Sequence, residues 1–130
     1  MAHEDFQYAL LQVVPRVERD ERFNAGIVLF SRRHGFLGAR VELDRDRLAA
    51  LDRVADADGL DGHLRALAGI AAGDPAAGPI AAMPQSERFH WLVAPSSTVI
   101  QPSAVHTGLS EDPARTLDHL FASLVARPTE

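Results

Sequence analysis

Two apolar runs stand close together near the start of this chain, and a dense charged block separates them. The first, Phe6-Gln-Tyr-Ala-Leu-Leu-Gln-Val-Val14, is closed by Pro15, and the second is Ala25-Gly-Ile-Val-Leu-Phe30. The first run is aromatic and β-branched, and only Gln7 and Gln12 are polar. It therefore reads as a strand buried on much of both faces. The second is too short for a helix and follows a turn-like polar stretch, so it reads as a central strand. Leu37-Gly-Ala-Arg-Val-Glu-Leu43 alternates. Leu37, Ala39, Val41 and Leu43 are expected to face in and Arg40 and Glu42 out, as on a half-buried antiparallel strand. Ser31-Arg-Arg-His-Gly35 supplies the hairpin turn before it, with Gly35 providing the permissive backbone.

Helical spacing follows. Asp44 is placed to cap a helix carrying Leu48, Leu51, Val54 and Ala55, and Asp58 or Asp61 to start another carrying Leu60, Leu64, Leu67 and Ala71. Residues 73–84 are rich in Ala, Gly and Pro and read as a mobile loop. Arg88-Phe-His-Trp-Leu-Val-Ala94 places Phe89, Trp91 and Val93 at strand spacing. Thr98-Val-Ile-Gln101 is a short companion strand, and Ala104 to Thr107 is the candidate for another. Ser110 or Asp112 caps a closing helix with Pro113 in its first turn. Its stripe is Leu117, Leu120, Phe121, Leu124 and Val125. The expected order is β-β-β-α-α-β-β-α, an α+β fold with a mainly antiparallel sheet and helices packed on one face.

A chain of 130 residues suits one domain spanning 1–130, with residues 1–5 as a flexible arm and 127–130 as a tail. Cysteine is absent, which excludes disulfides, thiolate metal sites and cysteine nucleophiles, and suits a reducing cytoplasm. No apolar run is long enough to span a bilayer, and the acidic start Met1-Ala-His-Glu-Asp5 is unlike a signal peptide. The net charge is −5 although all 13 basic residues are Arg, so the chain lacks the basic excess of a strong nucleic-acid binder. The Arg usage has two readings, codon bias in a GC-rich genome or bidentate anion recognition.

Chemistry is concentrated in Pro15-Arg-Val-Glu-Arg-Asp-Glu-Arg-Phe-Asn-Ala-Gly26. A plain hairpin needs fewer residues, and the alternating charge suggests salt-bridged order. Asn24 tolerates left-handed backbone, and Gly26 allows a neighbouring element to pack closely. Arg16, Arg19, Glu21 and Asn24 form either a polar recognition site or an ion-paired connection. Arg88 and His90 on the later strand complete the candidate set. Glu18, Asp20 and Glu21 lack a second acidic cluster at metal spacing, and the six histidines form no His-x-His or His-x-x-x-His pair. No metal or cofactor is therefore expected. Ser96, Ser97 and His106 lack a nucleophile elbow, and no phosphate-binding glycine loop is present.

The block Tyr8-Ala-Leu-Leu-Gln-Val-Val-Pro15, Arg19, Glu21 and Phe23-Asn-Ala-Gly-Ile-Val-Leu-Phe30 resembles the bacterial domain-of-unknown-function family 3037. Asp112-Pro113, Leu120-Phe121 and Leu124-Val125 resemble its closing helix. The resemblance marks Arg19, Glu21, Asn24 and Gly26 as signature positions without assigning roles. It also implies a partner or modulator role toward a neighbouring kinase-like protein. The leading functional expectation is a non-catalytic protein-binding or regulatory module. One alternative is a small hydrolytic or nucleotide-handling enzyme using Glu21, Asn24 and Arg19. Another is a weak nucleic-acid binder using Arg16, Arg19, Arg22, Arg32 and Arg33. An open sheet edge would favour a homodimer.

Overall fold

The computed structural model describes residues 5–127. The expected arm at 1–5, apart from Asp5, and the tail at 127–130, apart from Arg127, lie outside the described residues. Five strands form one antiparallel sheet: β1 (Phe6–Val13), β2 (Phe23–Ser31), β3 (Phe36–Val41), β4 (Ile100–Pro102) and β5 (His106–Gly108). β1 is the hub. On one side it pairs with β2, which carries β3 beyond it. On the other side β4 pairs with residues 11–13 of β1 and β5 with residues 6–8. Where these two short strands meet, Ser103 fills the gap. Its amide donates to Leu10 O at 2.8 Å, and its hydroxyl accepts from Leu10 N at 2.8 Å. The α+β class and the antiparallel sheet agree with the sequence reading.

Four helices cover the sheet: α1 (Arg45–Leu51), α2 (Ala57–Ala72), α3 (Gln85–Leu92) and α4 (Pro113–Leu124). Aspartates start three of them. Asp44 accepts from Arg47 N, Asp56 from Gly59 N and Asp112 from Arg115 N, each satisfying a first-turn amide. The cap at Asp56 begins α2 earlier than Asp58 or Asp61 would. Residues 73–84 wind into two 3-10 turns, Pro75–Ala77 and Pro79–Ala82, with Ala81 buried.

Two expectations are corrected. Residues 85–92 are helical, so the order is β-β-β-α-α-α-β-β-α. In place of strand alternation, this segment buries Arg88, Phe89 and Leu92 at helical spacing. The helices also occupy both faces of the sheet. Ala9, Leu11, Val13, Val28 and Phe30 pack under the side that carries α1, α2 and α3. Phe6, Ile27 and Leu29 pack on the other side against Leu117 and Phe121 of α4. Arg40 is exposed, as expected, and its guanidinium lies over the Phe121 ring at 4.1 Å and pairs with Asp118 at 3.1 Å. A strand apolar on both faces needs cover on both.

A bulge reconciles the two faces. Leu11 stands opposite Gly26, but Gln12 stands opposite Asn24, so Ala25 is the extra residue in β2. It shifts the phase of β2. Phe23 joins the core with Leu11 and Val13, while Ile27 and Leu29, also odd-numbered, face α4. The same shift turns Asn24 toward α4.

Candidate functional site

Between Val14 and Phe23 the chain makes a 3-10 turn over Val17–Arg19, followed by Asp20 in the left-handed region (φ 56°). Left-handed backbone was expected at Asn24 but falls at Asp20, another residue type that tolerates it. Each charge in the block finds a partner two residues away. Arg16 Nε meets Glu18 at 3.2 Å, Arg19 Nε meets Glu21 at 2.6 Å, and Arg22 pairs with Asp20. The Arg19 hydrogen bond and charge hold the Glu21 carboxyl below its ordinary range, and Glu21 raises Arg19 in return. Glu18 is lowered first by a hydrogen bond from its own backbone amide and then by Arg16.

These pairs are exposed and screened by water. A carboxyl lowered in the folded state contributes stability above its unfolded range and loses it as pH falls through the lowered value. With Glu21 so exposed, this effect is small. The double variant Arg19→Ala/Glu21→Ala is expected to keep the thermal midpoint of the wild type at pH 7. A fall of several degrees would show that the pair holds the fold.

The other candidates lie elsewhere. Asn24 sits within β2, accepts from Gln12 Nε2 at 3.0 Å and donates to Leu124 O at 3.0 Å, where it caps the end of α4. Gly26 has the role expected for it. A Cβ there would lie 2.9 Å from Val41 Cγ1 and 3.3 Å from Leu11 Cβ. Arg88 is buried and its Nη1 donates to Ile70 O and Ala71 O at 3.2 and 3.1 Å, at the end of α2. His90, on the exposed side of α3, has Nδ1 2.8 Å from Ser86 O. The six candidates thus fall into three places: Arg16, Arg19 and Glu21 in the loop, Asn24 under α4, and Arg88 and His90 on α3. They do not converge, and the enzyme reading loses its geometric support. Among the described residues no three His, Asp or Glu side chains gather as metal ligands.

A cleft is present beside β4. Its walls include Leu11, Leu67, Leu92 and Ile100, with Trp91 and His63 at its border, and it encloses about 260 Å³. A second hollow of about 300 Å³ adjoins it, lined by Pro15, Leu60 and Val99 with Asp52 and Asp56. His63 lines both hollows. The charged loop reaches this region, because Arg22 Nη1 donates to Gln101 Oε1 of β4 at 3.4 Å. Trp91 is 46% exposed. The sequence reading put it on one face of a strand with Phe89 and Val93. A helical reading of Arg88, Phe89 and Leu92 at i, i+1 and i+4 would have turned it outward.

The molecule is therefore an α+β module with an apolar groove beside one sheet edge and a self-paired charged loop at its end. Residues 8–125 match the family described as "Protein of unknown function (DUF3037)". The chain belongs to that family. No curated protein and no solved structure matches it.

Proposed function

We propose that this chain is a non-catalytic protein-binding module whose groove beside β4 receives an apolar segment of a partner protein. The observation that carries this reading is the exposed Trp91 bordering an apolar-walled cleft. Tryptophan is the side chain most often found as a binding anchor, and it works best where surrounding contacts exclude water. Asp52 and Asp56 line the adjoining hollow, so the fitting segment is an apolar anchor with a basic neighbour. The kinase-like neighbour implied by the family resemblance is the partner to try first, and the cytoplasm is the compartment for that encounter.

Trp91 is the sole tryptophan, so its emission reports on the groove directly. Titration with the partner is expected to shift that emission to the blue, and Trp91→Ala to weaken binding at least about tenfold while leaving the circular dichroism spectrum unchanged. A partner that binds Trp91→Ala as tightly as wild type would remove the groove from the account. Loss of binding in Arg19→Ala/Glu21→Ala alone would move the site to the loop.

A further inference from the structure

The two edges of the sheet are chemically unlike. At the β4 edge, Val14 N donates to Val99 O at 2.7 Å and Ser103 N to Leu10 O at 2.8 Å. By strand alternation, residues 99, 101 and 103 face β1, and Ile100 and Pro102 face outward. That edge is blunted. The Ile100 carbonyl accepts the Thr98 hydroxyl at 2.9 Å, and Pro102 has no N–H to offer. β5, beside it, has only three residues.

The β3 edge carries no such protection. Glu42 N donates to Ala25 O at 2.8 Å, so residues 36, 38, 40 and 42 turn their backbone groups toward β2. The N–H and C=O groups of Leu37, Ala39 and Val41 point away from the sheet. No group among the described residues bonds them. Ala39 and Val41 are part-exposed even though their side chains pack on the core. Backbone groups at such an edge take a strand partner or water.

We propose that β3 pairs antiparallel with β3 of a second copy of this chain, with Ala39 opposite Ala39. Two arguments select this partner and register. First, Leu37 then faces Val41 of the other copy and Val41 faces Leu37, so every outward donor and acceptor on the strand is matched. Moving the centre to Gly38 strands Val41, and moving it to Arg40 places like charges opposite each other. Second, residues of equal parity meet, so the apolar row Leu37, Ala39 and Val41 continues across the joint on the side already covered by α2. The two-fold axis repeats the pairing at both ends of the strand.

The test is sedimentation and light scattering of the intact chain over a wide concentration range. A species of twice 14.1 kDa is expected. Ala39→Pro removes an N–H that the single chain does not use, a position where an edge strand accepts proline. It should weaken association at least about tenfold, while Ala39→Ser retains it. A second readout, made on the wild type, keeps the test decisive if the proline variant fails to fold. In the wild type the Leu37, Ala39 and Val41 amides should exchange more slowly as concentration rises. Persistence of the single-chain mass at high concentration, or a dimer indifferent to Ala39→Pro whose β3 amides exchange at the same rate at every concentration, overturns the proposal. Trp91→Ala, at the groove beside the opposite edge, should leave association unchanged, so this result and the groove result stand apart.

Discussion

Arg88→Ala is expected to destabilise the fold by about 3 kcal/mol, which lowers the melting temperature by roughly 10 °C in a chain of this length. Arg88 lies 9% exposed beneath α3. Both of its hydrogen bonds go to the last carbonyls of α2, Ile70 O and Ala71 O. Ile70 O also accepts Gly73 N at 3.1 Å, whereas Ala71 O has no backbone partner among the described residues, and a cation beside both opposes the negative end of the helix dipole. Truncation removes both hydrogen bonds, leaves Ala71 O unsatisfied and opens a cavity, and these costs add. The site has a weakness of its own, because Arg88 Nε is buried without a partner. Arg88→Met, which keeps the aliphatic bulk and discards that orphan donor, should therefore recover about a third of the loss. Chemical denaturation of the three proteins checks the order wild type, Met, Ala. An alanine variant within about 0.5 kcal/mol of wild type, the range of an ordinary surface substitution, would sink this account of α3.

The second large effect is expected at Gly26. On the face toward α1 and α2, Leu11, Gly26 and Val41 stand in one row across β1, β2 and β3. The glycine lets the side chains on either side of it approach each other. An added Cβ would lie 2.9 Å from Val41 Cγ1 and 3.2 Å from the Arg40 carbonyl oxygen. Valine is β-branched and stiff at χ1, and the carbonyl belongs to the ladder, so neither gives way cheaply. Gly26→Ala should cost about 2–3 kcal/mol. Gly62→Ala is the control. It is an α2 position where an added Cβ meets nothing within 4 Å, and there alanine should stabilise by about 0.5–1 kcal/mol. Equal midpoints for the two variants would contradict the crowding argument.

How much of this was legible in the sequence depended on whether one period was enough to decide. β1, β2 and β3 fall close to the apolar runs that announced them, and α4 falls on its stripe, because each segment supports one period well. Residues 88–94 support two. Phe89, Trp91 and Val93 alternate as in a strand, while Arg88, Phe89 and Leu92 recur as in a helix. Tertiary contacts decide it, through Arg88 docking on α2 and the Phe89 ring stacked 5.3 Å from Phe30. The placement of α4 was implied by β1, whose even and odd positions are both largely apolar. A strand of that kind cannot leave one face to solvent, so helices on one face alone conflicted with the sequence itself. The bulge at Ala25 left no signal in composition or spacing. Without it Asn24 had no visible reason to turn toward α4.

Among the candidate site residues, the close packing at Gly26 was legible, while Arg19 and Glu21 were left open between a recognition site and an ion pair. The sequence reading did not find Trp91 or His63. Their significance arises from the hollow between α2, α3 and β4, which brings together residues from 11 to 102, and no local window contains that information.

β1 also sets the order of events during synthesis. Its pairing with β2 closes across a short loop, so that hairpin can form early. Its second edge waits for Ser103, 93 positions beyond Leu10, and for the short strands on either side of it. While the ribosome supplies the intervening helices, one side of the central strand keeps its amides and carbonyls unpaired, which makes the nascent chain vulnerable to strand addition from its neighbours. The last quarter of the chain completes the protection of the first, and truncation before β4 would leave the most apolar strand of the sheet as an open edge.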